Sequence, residues 1–204
     1  MQPDMSWLTR LGFVAPAASS ARADEATLLA RLADGDADAL ALLYRRESGS
    51  VYRYALALAG DEAAALDAVQ EAFAQLLRGP QAFDAARGTL GAYLAGMARH
   101  QLLSQWREAR RHVPLDDALD SDDAAPAMPA SDARLAAAQQ QDSLWAAIRQ
   151  LSWPQREALV LVDLQERSYG DAAAIAGVSL DVLRTRLHRA RQRLTELLAA
   201  GERP

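Results

Sequence analysis

Apolar residues recur at spacings of three and four along almost the whole chain, the period of a helix that buries one face. Strand signals are weak, with few β-branched runs and no Asn-Gly hairpin turn. The chain therefore reads as all-α. A first helix is expected over about Asp24–Ala33, stopped near Gly35, and a second over about Asp36–Arg46 with Leu40, Leu43 and Tyr44 on one face. Ser48-Gly49-Ser50 is expected to interrupt it before helix resumes over Val51–Ala59. Gly60-Asp61 then ends one helix and caps the next, about Glu62–Arg78, on which Phe73, Leu76 and Leu77 read as core. Gly79-Pro80 stops that helix, since proline has no amide to donate and its ring clashes with the preceding turn. After a loop over Gln81–Gly88, Thr89 can cap a long helix to about Arg110.

Periodicity fails on both sides of this block. Residues 1–24 carry Pro3, Pro16 and small residues around Trp7, Leu8, Leu11 and Phe13, and read as a flexible N-terminal extension. Residues 113–132 hold prolines, alanines and aspartates without a repeat, the composition of a linker. Helical spacing returns over about Ala133–Gln150, Pro154–Leu164, Tyr169–Ala176 and Ser179–Leu198. The expected architecture is two small helical domains, 25–112 and 133–204, joined by a flexible linker, with the C-terminal one a helix-turn-helix.

The helix-turn-helix rests on Tyr169–Arg189. Ala173 is small where two helices must meet, Gly177 sits where the chain turns, Val178 plugs the core, and Ser179 can cap the next helix. Leu183, Leu187, Ala190, Leu194 and Leu197 form the buried stripe of the last helix. At 100° per residue, Arg184, Thr185, His188, Arg189 and Gln192 fall on the opposite, wet side. A helix lying in a major groove would present those residues to bases and phosphates, whereas an ordinary helical corner would leave them as a solvated face.

Charge sharpens this picture. The net charge of −5 argues against a nucleic-acid binder when taken over the whole chain. Locally, residues 99–111 carry four Arg against Glu108, and 179–193 carry five Arg against Asp181. Between them Asp116, Asp117, Asp120, Asp122 and Asp123 stand without a base. Two cationic helical patches flank an acidic connector, and each can gain affinity for phosphate by releasing counterions. With no cysteine and three scattered histidines (His100, His112, His188), thiolate zinc sites and zincin-type sites are excluded. No nucleophile–base set, phosphate loop or metal cluster stands out, so neither an enzyme nor a cofactor is expected. No apolar run is long enough to span a membrane, so no membrane insertion is expected and the expected location is cytoplasmic.

Four segments in register then resemble the sigma-70-like initiation factors of bacterial RNA polymerase, specifically the small extracytoplasmic-function group. Leu66-Asp67-Ala68-Val69-Gln70-Glu71-Ala72-Phe73 is similar to the acidic segment of sigma region 2. Phe83-Asp84-Ala85-Ala86-Arg87-Gly88 with Ala92-Tyr93-Leu94 resembles the loop and helix after it. Met97-Ala98-Arg99-His100-Gln101-Leu102-Leu103 resembles the helix facing the −10 element, and Arg184-Thr185-Arg186-Leu187-His188-Arg189-Ala190-Arg191 the −35 recognition helix.

The resemblance implies a promoter-specificity factor that binds core RNA polymerase, reads both elements and assists melting. It implies that Asp67, Gln70 and Glu71, on one helical face, dock the clamp helices of the largest polymerase subunit, while the C-terminal domain meets the flap of the second-largest. Phe83, Arg87, Tyr93, Arg99, His100 and Arg107 would serve the −10 element and melting, where stacking and hydrogen bonds stabilise an extruded base. For Phe83 and Tyr93, as for Trp106, core packing is the competing role. Ser179, Arg184, Thr185, Arg186, His188, Arg189 and Gln192 would serve the −35 element. An anti-sigma factor is the implied regulator.

This chain departs from the family pattern at several places. His100 stands where Asn is common, Tyr93 where Trp is, and Ser104-Gln105 where an Asp-Tyr-like pair is. Asp171 and Ala172 replace Glu and Ile, and Asp181 replaces a common Gly, where a carboxylate favours the helix dipole but repels nearby phosphate. Two alternatives stay open from the residues: a stand-alone helix-turn-helix regulator, and a sigma-like decoy that binds a regulatory partner.

Overall fold

The computed structural model describes residues 21–110 and 137–201, and among them every regular element is helical. The expected linker over 113–132, most of the 1–24 extension and the expected helix start at Ala133 lie outside the described residues. The helices divide between two compact units.

The first unit holds α1 (Ala21–Ala33), α2 (Ala37–Ala59), α3 (Glu62–Arg78), a 3₁₀ turn (Pro80–Ala82) and α4 (Leu90–Arg110). Helix α1 begins at Ala21, so the end of the expected extension is helical instead; Ala21 and Ala23 are strong helix formers, and Glu25 fixes the first turns. Glu25 is only 8% exposed. Its carboxylate pairs with Arg46 at 2.6 Å and accepts the Leu90 N–H at 3.2 Å, so a side chain of α1 satisfies one of the orphan donors opening α4.

The expected break at Ser48-Gly49-Ser50 does not occur. Helix α2 runs unbroken through it because Leu43, Val51, Tyr54 and Leu58 continue one buried face across the three small residues. That burial outweighs a glycine penalty of about 1 kcal/mol. The caps match the sequence reading: Gly60 closes α2 at φ 71°, and the Asp61 carboxylate accepts the Ala64 N–H at 2.8 Å to open α3. Thr89 likewise accepts the Ala92 N–H, at 3.2 Å. Phe73 and Leu76 are buried, but Leu77 is 52% exposed rather than core. It falls off the edge of the buried face of α3, beside the exposed Leu66, and lines an open groove with Leu40, Tyr44 and Phe73.

The second unit holds α5 (Ala137–Arg149), α6 (Trp153–Leu159), a π turn (Val160–Leu164), α7 (Tyr169–Ala176) and α8 (Leu180–Gly201). The helix expected over Pro154–Leu164 thus widens after Leu159, where the Gln165 N–H donates five residues back to the Val160 carbonyl at 2.9 Å. The wide turn accompanies burial of Asp163, which grips Arg191 of α8 through both carboxylate oxygens, at 2.8 and 2.5 Å. Arg156 is also buried. Its guanidinium donates to the carbonyls of Ile148 (3.2 Å), Leu151 (3.1 Å) and Arg149 at the end of α5. Burial, then repulsion from Arg149, pulls Arg156 down to about 10. Between α7 and α8, Gly177 turns the chain at φ 67° and Ala173 is buried, while Val178 is half-buried rather than fully inserted.

Candidate nucleic-acid interface

Helix α8 owes its orientation to its apolar stripe. Leu183, Leu187, Ala190 and Leu194 are buried, and Leu197 near the free end is half-buried. With that side fixed, Arg184, Thr185, His188, Arg189 and Gln192 are exposed together, and Arg186 is half-buried at the flank. Ser179 caps the helix, its Oγ accepting the Val182 N–H at 3.4 Å and its carbonyl the Leu183 N–H at 3.0 Å. Arg191 turns away from this surface to hold Asp163, the first cause of its raised pKa, so one of the five local arginines serves the fold.

The sequence reading missed two neighbours of Arg184. Its guanidinium bonds the Asp181 carboxylate at 3.1 Å and lies 5.9 Å from the ring centroid of Tyr169, the first residue of α7. The spacing of three between Asp181 and Arg184 could have revealed the first contact. Nothing local signals the second, which depends on how α7 crosses α8.

In the first unit, the loop after α3 and the start of α4 meet through Phe83 and Tyr93, whose ring centroids are 5.5 Å apart at 54°. Both are half-buried, so each combines packing with an accessible edge. Arg87 is exposed on the same loop. Tyr93, His100 and Arg107 recur every seven residues and share one stripe of α4, with His100 and Arg107 exposed. Arg99 is half-buried and stands about a third of a turn from that stripe.

On α3, Asp67 and Gln70 are exposed, whereas Glu71 is half-buried. Gln75 donates to Glu71 at 3.0 Å and Arg78 at 2.6 Å, and these bonds hold its carboxyl below the ordinary glutamate range. These bonds tie Glu71 to its own helix, while Asp67 and Gln70 stand exposed. Among the described residues, no group of acidic or histidine side chains is suited to hold a metal, and no helix is long and apolar enough to cross a membrane.

Comparison with known proteins bears on both units. Residues 43–112 match Sigma-70 region 2, and residues 141–194 match Sigma-70, region 4. The ECF RNA polymerase sigma factor SigE of Mycolicibacterium smegmatis is 33% identical over 162 residues, which is 77% of this chain and 60% of that protein. The ECF RNA polymerase sigma factor SigM of Mycobacterium tuberculosis is 31% identical over 202 residues, covering 97% of this chain and 94% of its own. The sigma factor RpoE of Bartonella quintana, solved in complex with the anti-sigma factor NepR, superposes with a TM-score of 0.60 at 28% identity, over 79% of this chain and 97% of that one. With both regions present in order and a relative matched over nearly its full length, the chain belongs to the extracytoplasmic-function group of the sigma-70 family.

Proposed function

We propose that this sigma factor binds core bacterial RNA polymerase and directs it to promoters whose −35 element is read by α8 and whose −10 element is read by α4 and the loop before it. The observation that carries the reading is the exposed polar and cationic face of α8, backed by a helix-turn-helix whose buried stripe leaves it no other orientation. Arg184, Arg189 and Arg186 supply phosphate and guanine contacts, with Ser179, Thr185, His188 and Gln192 as hydrogen-bonding neighbours. Phe83 and Tyr93 stack on a base released from the duplex, with Arg87, Arg99, His100 and Arg107 along the strand. Asp67, Gln70 and Glu71 dock the polymerase clamp helices, and the second unit meets the flap of the second-largest subunit.

The factor performs no bond chemistry; it positions the polymerase, and it works in the cytoplasm where the polymerase does. Two weakly binding units become a strong reader when the polymerase fixes their spacing, which fits a free chain of net charge −5. An anti-sigma factor that covers these surfaces is the natural regulator, as RpoE of Bartonella quintana was solved in complex with NepR.

The test is co-elution of the purified chain with core polymerase on size exclusion at near-physiological salt. Co-elution that disappears in an Asp67→Ala, Glu71→Ala variant is the expected result. Failure of the parent chain to bind any competent core, with tight duplex binding on its own, would refute it in favour of a stand-alone regulator.

A further inference from the structure

Asp181 lies in the first turn of α8, on the side the helix turns outward. At 100° per residue it falls within about 40° of Thr185 and Gln192, directly opposite the buried stripe. Its side chain is 92% exposed even though it bonds Arg184, so one carboxylate oxygen is engaged and the other faces solvent. The helix backbone locks this turn further, since the Thr185 hydroxyl donates to the Asp181 carbonyl at 2.9 Å.

Arg184 is held from a second side by the Tyr169 ring. Tyr169 is 40% exposed. Its side chain also interacts with Arg191, which is tied to the buried Asp163. The Arg184 side chain, 61% exposed, thus has a carboxylate and an aromatic face beside it before any ligand arrives, an exposed pair that directs the side chain more than it stabilises the fold. Such restraint lowers the ordering cost of a directed contact.

The chemistry of this pair is specific. A carboxylate beside a guanidinium presents an acceptor next to a row of donors. In the major groove a C·G pair presents the reverse, the cytosine N4 amino donor next to the guanine O6 and N7 acceptors. An A·T pair also sets a donor, adenine N6, beside acceptors, but with a single acceptor on each side of it, so it lacks the two adjacent acceptors that a guanidinium spans on guanine. Toward phosphate, by contrast, a carboxylate on this face is repulsive and penalises every sequence alike.

We propose that Tyr169, Asp181 and Arg184 form one base-reading unit that selects a C·G pair in the −35 element, with Arg184 on the guanine and the outer oxygen of Asp181 on the cytosine amino group. This rests on the −35 reading of α8. Arg184 and Asp181 touch the base pair; Tyr169 is a positioning residue that acts through Arg184. The unit gives this factor a preference that a glycine in place of Asp181 would not supply.

The test is a set of polymerase holoenzymes bound to promoter duplexes randomised across the −35 element, comparing the parent with Asp181→Ala, Tyr169→Leu and Arg184→Ala. In Asp181→Ala the C·G preference at one position falls about tenfold, the size of one good base contact. Binding to non-cognate duplex stays level or rises, because a repulsive charge has gone. Tyr169→Leu loses preference at the same position. A merely structural defect would lower binding to every sequence together and leave the preference ratio intact. If Asp181→Ala and Tyr169→Leu keep the parental ratio while Arg184→Ala loses it, the three-residue unit is refuted and the −35 reading survives. If Arg184→Ala also keeps the ratio, the −35 assignment of α8 fails and this unit with it.

Discussion

Replacing Arg191 with methionine strands the Asp163 carboxylate inside the second unit. The Asp163 side chain is 2% exposed and that of Arg191 is 31% exposed, so the two partners are not equivalent. Methionine preserves most of the arginine stem's packing, so the loss is electrostatic. A buried charge left without its partner costs about 3–5 kcal/mol. Taking about 3 kcal/mol, protection of amides in α5–α8 against hydrogen exchange should fall by roughly a hundredfold or more in the full chain. Amides in α1–α4 should be unchanged, which serves as the internal control. The melting temperature of the second unit should drop by about 15 °C. Asp163→Ala should cost less, because the orphaned Arg191, 31% exposed, can reach water and leaves no charge stranded in the interior. An Asp163→Ala chain less stable than Arg191→Met would refute the reasoning.

Three further outcomes follow from named backbone and ring contacts. Gly49→Ala should stabilise the first unit by about 0.5–1 kcal/mol, read by chemical denaturation, because Gly49 lies inside α2 and an added Cβ meets only Arg53 Nη1 at 3.5 Å. Gly177→Ala should destabilise the second unit by about 1–2 kcal/mol in the same assay; nothing lies within 4 Å of its Cβ, so the whole cost is the left-handed backbone at φ 67°. Phe83→Ala should slow open-complex formation on duplex promoters, and a template with a preformed bubble should restore the rate. Equal slowing on both templates would assign Phe83 to packing against Tyr93 alone.

Signals that act within one turn were legible in the sequence. The caps at Asp61, Thr89 and Ser179 and the glycine at 177 operate on amides two to four residues away, and each stands where its residue type implied. The wet face of α8 was legible for the same reason, since a helix converts spacing directly into direction. What escaped was decided by partners distant in the chain. Ser48-Gly49-Ser50 looks like a break until α3 and α4 bury the residues on either side of it. Asp163 meets Arg191 across 28 residues, and the π turn that carries Asp163 has no local mark. Leu77 falls about 110° round α3 from the centre of its buried face, on the same edge as the exposed Leu66. Tyr169 was placed at the start of α7 correctly, but its ring contact with Arg184 depends on the helix crossing.

The carboxylate of Glu25 sets the shortest fragment of the first unit worth preparing. The region matched to the family begins at residue 43, and a fragment trimmed to that boundary would omit α1 entirely. It would then leave the Leu90 N–H without its side-chain acceptor and remove the carboxylate that Arg46 holds at 2.6 Å. Leu90 opens the helix that bears Tyr93, so fraying there would loosen the ring contact with Phe83. A minimal fragment of the first unit therefore begins at or before Ala21, and one begun at residue 43 would understate the stability of the unit.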